Sequence, residues 1–131
     1  MHAMRFAHIF TPRINALIAA IVYGCWAFYT NSEHGLVASS KAGIIQAIYA
    51  FMSTLSVSNV ALRIFHFFDN KTCGLIYGFI GSFILMITIP SGVHYVSGTP
   101  DIIETILPGV VFGSTYLGAF LWNLHKVNYK K

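Results

Sequence analysis

The sequence predicts an all-α polytopic integral membrane protein, with four transmembrane helices in an antiparallel bundle. Three observations carry that reading. Of 131 residues, 56% are hydrophobic and only 9% are charged, against roughly 25% charged in ordinary soluble domains. The apolar residues fall into four runs near the length of a bilayer crossing, about 20 residues each. Most polar residues collect between those runs. Such a composition excludes a water-soluble globule, which needs charge to cover its surface, and a disordered chain, whose bias is the opposite. A single four-span membrane domain over 1–131 follows.

Span 1 is expected over about 12–31. Thr11-Pro12-Arg13 precedes its apolar run, where threonine suits a helix cap and proline the first turn, and Asn31-Ser32-Glu33-His34-Gly35 ends it. A signal peptide is the rival reading of this stretch, but no small-x-small cleavage pattern directly follows the run. Span 2 covers about 42–68, between Ser39-Ser40-Lys41 and Asp69-Asn70-Lys71, and is the most polar of the four. Span 3, about 72–96, contains Pro90. A turn at Ser97-Gly98-Thr99-Pro100-Asp101 leads into span 4, about 100–125, which contains Pro108. The first ten residues set Met4, Phe6, Ile9 and Phe10 beside Arg5, the composition of a short amphipathic helix in the membrane interface.

Charge sets the expected orientation. Four crossings put Arg5, Arg13, Arg63, Lys71, Lys126, Lys130 and Lys131 on one side and only Lys41 on the other. The positive-inside rule makes the first side, with both termini, cytoplasmic. The inner membrane of a bacterium is the expected location, and the net charge of +4 is read as contact with lipid headgroups rather than nucleic acid. Cys25 and Cys73 fall near opposite membrane faces, so free buried thiols are expected.

Small residues recur every fourth position: Ala16, Ala20 and Gly24 in span 1, Gly74, Gly78 and Ser82 in span 3, Gly109 and Gly113 in span 4. Such faces let helices approach closely. They serve either packing within one bundle or homo-oligomerisation, and the second is preferred because four helices make a bundle too thin to enclose a substrate path.

Two polar constellations stand out. In span 2, Gln46, Tyr49, Ser53, Ser56, Asn59 and Arg63 follow one another at steps of 3, 4, 3, 3 and 4, which reads as one helical face. Polar groups in lipid need partners, so this face is expected to meet other helices or line a hydrated path. Arg63 is near enough to the span's end to reach the interface or pair with Asp69. Where span 3 turns into span 4, His94, Asp101 and Glu104 form a candidate outer-leaflet polar site, with His94 and Glu104 expected to pair. Pro90 and Pro108 flank it, each removing a helical hydrogen bond and freeing the carbonyls of Met86 and Glu104.

Catalytic and metal signals are weak. None of the six histidines, His2, His8, His34, His66, His94 and His125, falls at i, i+4 with a carboxylate partner, and there is no P-loop or dinucleotide glycine pattern. A Ser91–His94–Glu104 set rests on adjacency alone. No metal and no cofactor are expected.

A basic start, Asn15 early in span 1, and Asn59 to Arg63 running into aromatic residues resemble in style the GtrA-like proteins, short four-span proteins associated with polyprenyl-linked sugar translocation. The resemblance implies lipid-linked translocation, but it covers parts of two spans and span 4 does not repeat it, so no family is assigned. The first-span glutamate of small multidrug resistance transporters and the phenylalanine- and threonine-rich pore segment of fluoride channels have no counterpart. The expected function is a transport or translocation component working as a homo-oligomer. The alternatives are an accessory subunit of a larger membrane assembly, with a membrane-protein partner, and an interfacial enzyme acting on lipid. Membrane lipids are the partners common to all three.

Overall fold

Helix punctuation in the sequence maps onto four helices in the computed structural model, which describes residues 12–129. They are α1 (Pro12–Thr30), α2 (Leu36–Phe67), α3 (Lys71–Ser97) and α4 (Ile102–Tyr129), with a short 3-10 turn at Ser32–His34. α2, α3 and α4 are each long and apolar enough to cross a membrane, which makes the chain an integral membrane protein. The amphipathic segment expected around Met4 to Phe10, and the basic residues Lys130 and Lys131, lie outside the described residues.

α2 starts earlier than its expected span. Gly35 has φ 92° and ψ 165°, a conformation open to glycine, and releases the chain from the 3-10 turn. The helix then begins at Leu36 rather than Ala42, because nothing in 36–41 breaks it. Ser39 fastens the start: its backbone N–H donates to the Gly35 carbonyl, and its single hydroxyl proton is shared between the Gly35 and Asn31 carbonyls. At 32 residues, α2 is about 48 Å long, well beyond the roughly 30 Å hydrocarbon layer.

α3 is capped at both ends. The Asn70 side chain accepts from the backbone N–H groups of Thr72 and Cys73. At the far end Gly98 adopts φ 72°, with Thr99 N–H donating to the His94 carbonyl and Gly98 N–H to that of Tyr95, a Schellman closure. α4 starts at Ile102, two residues past the expected start, and runs to Tyr129 rather than stopping at His125.

The small residues set the helix contacts. On α1, a methyl group at Gly24 would stand 2.9 Å from Ala47 Cβ and 3.1 Å from the Gly43 carbonyl of α2. Gly74 of α3 lies against Phe65, where a methyl would come within 2.5 Å of the Phe65 carbonyl oxygen. Gly113 of α4 accommodates the Met86 sulfur. Ala61, Phe65, Leu117 and Leu121 form a buried cluster joining α2 and α4, with Leu75 and Phe79 of α3 packed on it. Ala16 and Gly78 are also buried, while Ala20 and Gly109 are half-buried. Much of the small-residue surface is therefore used inside the chain.

Candidate functional site

The connections at Asn31–Gly35 and Gly98–Asp101 meet, and the end where they do is here termed the turn end. Its hub is Asn31, fully buried. The Asn31 amide donates to the Ala27 carbonyl and to Thr105 Oγ1, both at 2.8 Å, and its Oδ1 accepts from the Asp101 backbone N–H at 3.1 Å. Thr105 in turn donates to the Asp101 carbonyl. On the surface above, His34 Nε2 contacts Asp101 Oδ2 at 2.8 Å. One asparagine thus ties α1 to the start of α4.

Both proline-freed carbonyls have partners from a different helix. Pro90 leaves Met86 without its helical donor, and the Tyr49 hydroxyl of α2 donates to that carbonyl at 3.3 Å. Pro108 does the same to Glu104, whose carbonyl accepts from the Trp26 indole of α1 at 2.8 Å. In each case a kink supplies a backbone acceptor and an aromatic side chain fills it.

His94 does not pair with Glu104. The imidazole is fully buried, with Nδ1 2.8 Å from Thr99 Oγ1 and Nε2 2.8 Å from Gln46 Oε1. Both ring nitrogens are therefore engaged. Because the Gln46 oxygen only accepts, Nε2 carries the proton, and in the neutral ring Nδ1 accepts from the Thr99 hydroxyl. Glu104, one residue before the buried Thr105, is exposed. The Ser91–His94–Glu104 grouping fails for the same reason. Asp101 belongs instead to the Asn31 and His34 contacts.

The polar positions of α2 separate along the helix. From Gln46 to Arg63 their steps average about 3.4 residues, so the stripe winds around the helix by roughly 100° over its length. Gln46 is buried, Tyr49 and Ser53 are half-buried, and Ser56, Asn59 and Arg63 are exposed. Arg63 makes no ion pair with Asp69 among the described residues.

What part of the stripe does reach is a cleft of about 590 Å³ between α1, α2 and α4. Asn15 and Tyr23 border it from α1, Gln46, Tyr49, Ser53, Thr54, Ser58 and Asn59 from α2, and Tyr116 from α4. Met86 and Pro90 of α3 reach its wall, and Ile106, Gly109, Val110 and Phe112 add apolar surface from α4. No Asp, Glu, Lys, Arg or His is among these lining residues. Ser58 Oγ and Tyr116 OH are 2.9 Å apart, linking α2 to α4 beside the cleft. Trp26 and Asn31 hold α1 to α4 at the turn end. Further along, the two helices separate and the cleft lies between them.

Sequence reasoning missed the hub and half of the lining. Asn31 reads as a loop residue, and Thr54 and Ser58 fall between the steps of the assumed stripe. Steps of four from Gln46, through Ala50, reach Thr54 and Ser58. Among the described residues, no group of three or more His, Cys, Asp or Glu side chains is placed to hold a metal. No protein-family model, curated protein or solved structure matches the chain.

Proposed function

We propose that this chain is a translocation component, and that it receives its cargo in the cleft between α1, α2 and α4. The observation that carries the proposal is a 590 Å³ space with a hydroxyl- and amide-rich wall inside apolar helices. A volume of this size is in the range of ligand sites, and polar backbone or side chains at membrane depth are tolerated where they line a cavity. In this reading α1 is a fourth crossing. Its 19 residues give about 28 Å of helix, and the Gly24–Gly43 approach seats it on α2. The spans run antiparallel, a reading supported by the pairs Gln46–His94, Tyr49–Met86 and Phe65–Gly74. The basic residues orient the bundle with both ends in the cytoplasm, in the inner membrane of a bacterium. The Asn31 network then closes the cleft toward the outside.

Site-directed labelling tests this. With Cys25 and Cys73 replaced by serine, a Ser53→Cys variant in sealed vesicles is treated with a membrane-impermeant thiol reagent from either side. A translocation component reacts quickly from the side of the chain ends and slowly from the turn end as the network opens. Reaction from one side only would make the cleft a binding site without passage. No reaction from either side would make the chain a dry structural subunit. Labelling Ser32→Cys and Ser97→Cys from outside checks the orientation in the same vesicles.

A further inference from the structure

Gln46 is the one glutamine in the sequence, and its two amide ends have different surroundings. Only 2% of the residue is exposed. Its Oε1 accepts from His94 Nε2 at 2.8 Å, and His94 is itself fixed by Thr99 at 2.8 Å. That chain of two bonds leaves the orientation of the amide no freedom. The Nε2 group has no hydrogen-bond partner among the described residues, and it sits at the cleft wall opposite Gly109. A Cβ at Gly109 would stand 3.8 Å from it, so the missing side chain leaves the approach to the amide open.

Ser82 Oγ is the side-chain polar atom buried without a partner among the described residues, whereas the Gln46 amide lies at the cleft wall, where an arriving acceptor can meet it. We infer that the Gln46 amide is the recognition donor of the cleft, aimed by His94, for an uncharged amphiphile whose head offers an oxygen acceptor. The inference rests on the proposal that the cleft receives a ligand. The absence of Asp, Glu, Lys, Arg and His from the described lining selects an uncharged head, because a charge here would be desolvated without a counter-charge. The apolar wall formed by Met86, Ile106, Val110 and Phe112 suits an acyl or similar chain. Gln46 touches the ligand, whereas His94 is a positioning residue.

The unique glutamine makes the test direct. Full-length protein labelled with side-chain ¹⁵N-glutamine, in nanodiscs, gives one NH₂ pair by NMR. Titration with monoolein, an uncharged diol head on a single chain, is expected to shift that pair saturably. Free glycerol is the parallel arm: a shift with monoolein alone assigns a membrane-borne ligand, and a shift with glycerol too assigns the polyol itself, both within the inferred chemistry. Gln46→Glu keeps an oxygen for His94 but removes the donor and with it the glutamine signal, so its affinity is read from the Gly109 backbone amide in ¹⁵N-glycine-labelled protein, and it should bind monoolein roughly tenfold more weakly. His94→Phe should move the pair toward the shifts of an unconstrained glutamine amide, by letting the side chain turn about its Cγ–Cδ bond. An unmoved pair with monoolein overturns the inference. So does equal binding of lysophosphatidic acid, the charged counterpart, or full affinity in Gln46→Glu. An unmoved pair beside two-sided Ser53→Cys labelling removes only the inference. A shifted pair beside one-sided labelling removes only the translocation.

Discussion

At the turn end, polar side chains close the molecule; toward the chain ends, apolar packing holds α2, α3 and α4 together while α1 leaves a polar cleft beside α2 and α4. Asn31, Thr105, His94 and Gln46 are all buried at or near the first region, and each has a named partner. Ala61, Phe65, Leu117 and Leu121 build the second without a hydrogen bond between their side chains. The contrast follows from what lipid does to each kind of contact. Apolar side chains gain little by leaving hydrocarbon, so they hold helices only by close packing, as at Gly74 and Phe65. Hydrogen bonds act over a narrower range of geometry, which suits an end that opens in the proposed translocation.

Breaking the hub should have the largest effect. Asn31→Leu strands the Asp101 N–H, takes away the donor to Thr105 Oγ1 and leaves Trp26–Glu104 as the remaining side-chain tie between α1 and α4. A loss of about 2–4 kcal/mol is expected in denaturant titration in detergent, with Ser53→Cys becoming faster to label from the turn end. Gly74→Leu attacks the other region by steric means. It should cost about 1–3 kcal/mol in the same titration while leaving turn-side labelling unchanged; faster labelling there would show that the two regions are coupled.

Trp26→Phe removes one donor from the Glu104 carbonyl and should lower stability by about 1 kcal/mol, measurable as a reduced thermal midpoint. Filling the cleft separates stability from function. Ser53→Leu with Thr54→Leu should leave the thermal midpoint nearly unchanged and abolish the monoolein-induced shift of the Gln46 amide. The smallest effect is expected from His34→Ala: its contact with Asp101 is exposed on both sides, and exposed pairs contribute about 0–1 kcal/mol. A large loss there would move the hub from Asn31 to the surface pair.

Helix existence was legible because apolar run length and the stops at Asn31–Gly35, Asp69–Lys71 and Ser97–Asp101 report it directly. The freed carbonyls of Met86 and Glu104 were legible too, since a proline removes a particular hydrogen bond wherever it sits. Their donors were not, because Tyr49 and Trp26 are 37 and 78 residues away and nothing local encodes that distance. The pairing of His94 with Glu104 was inferred from a short turn. The Schellman closure at Gly98 instead brings Thr99 back onto His94, and Gln46 approaches from another helix. Asn31 was hidden for a different reason: a polar residue between spans has the same sequence signature whether it faces water or a buried junction.

The two prolines also bear on the order in which the molecule is made. A helix with an uncapped carbonyl is poorly suited to stand alone in hydrocarbon. The donors, Trp26 and Tyr49, lie in α1 and α2, and the acceptors they serve lie in α4 and α3. Synthesis from the N-terminus therefore delivers each aromatic donor to the membrane before the kinked helix that needs it, so α3 and α4 arrive to find their docking groups in place. Reversing that order, by expressing the α3–α4 hairpin by itself, would ask both carbonyls to wait unsatisfied.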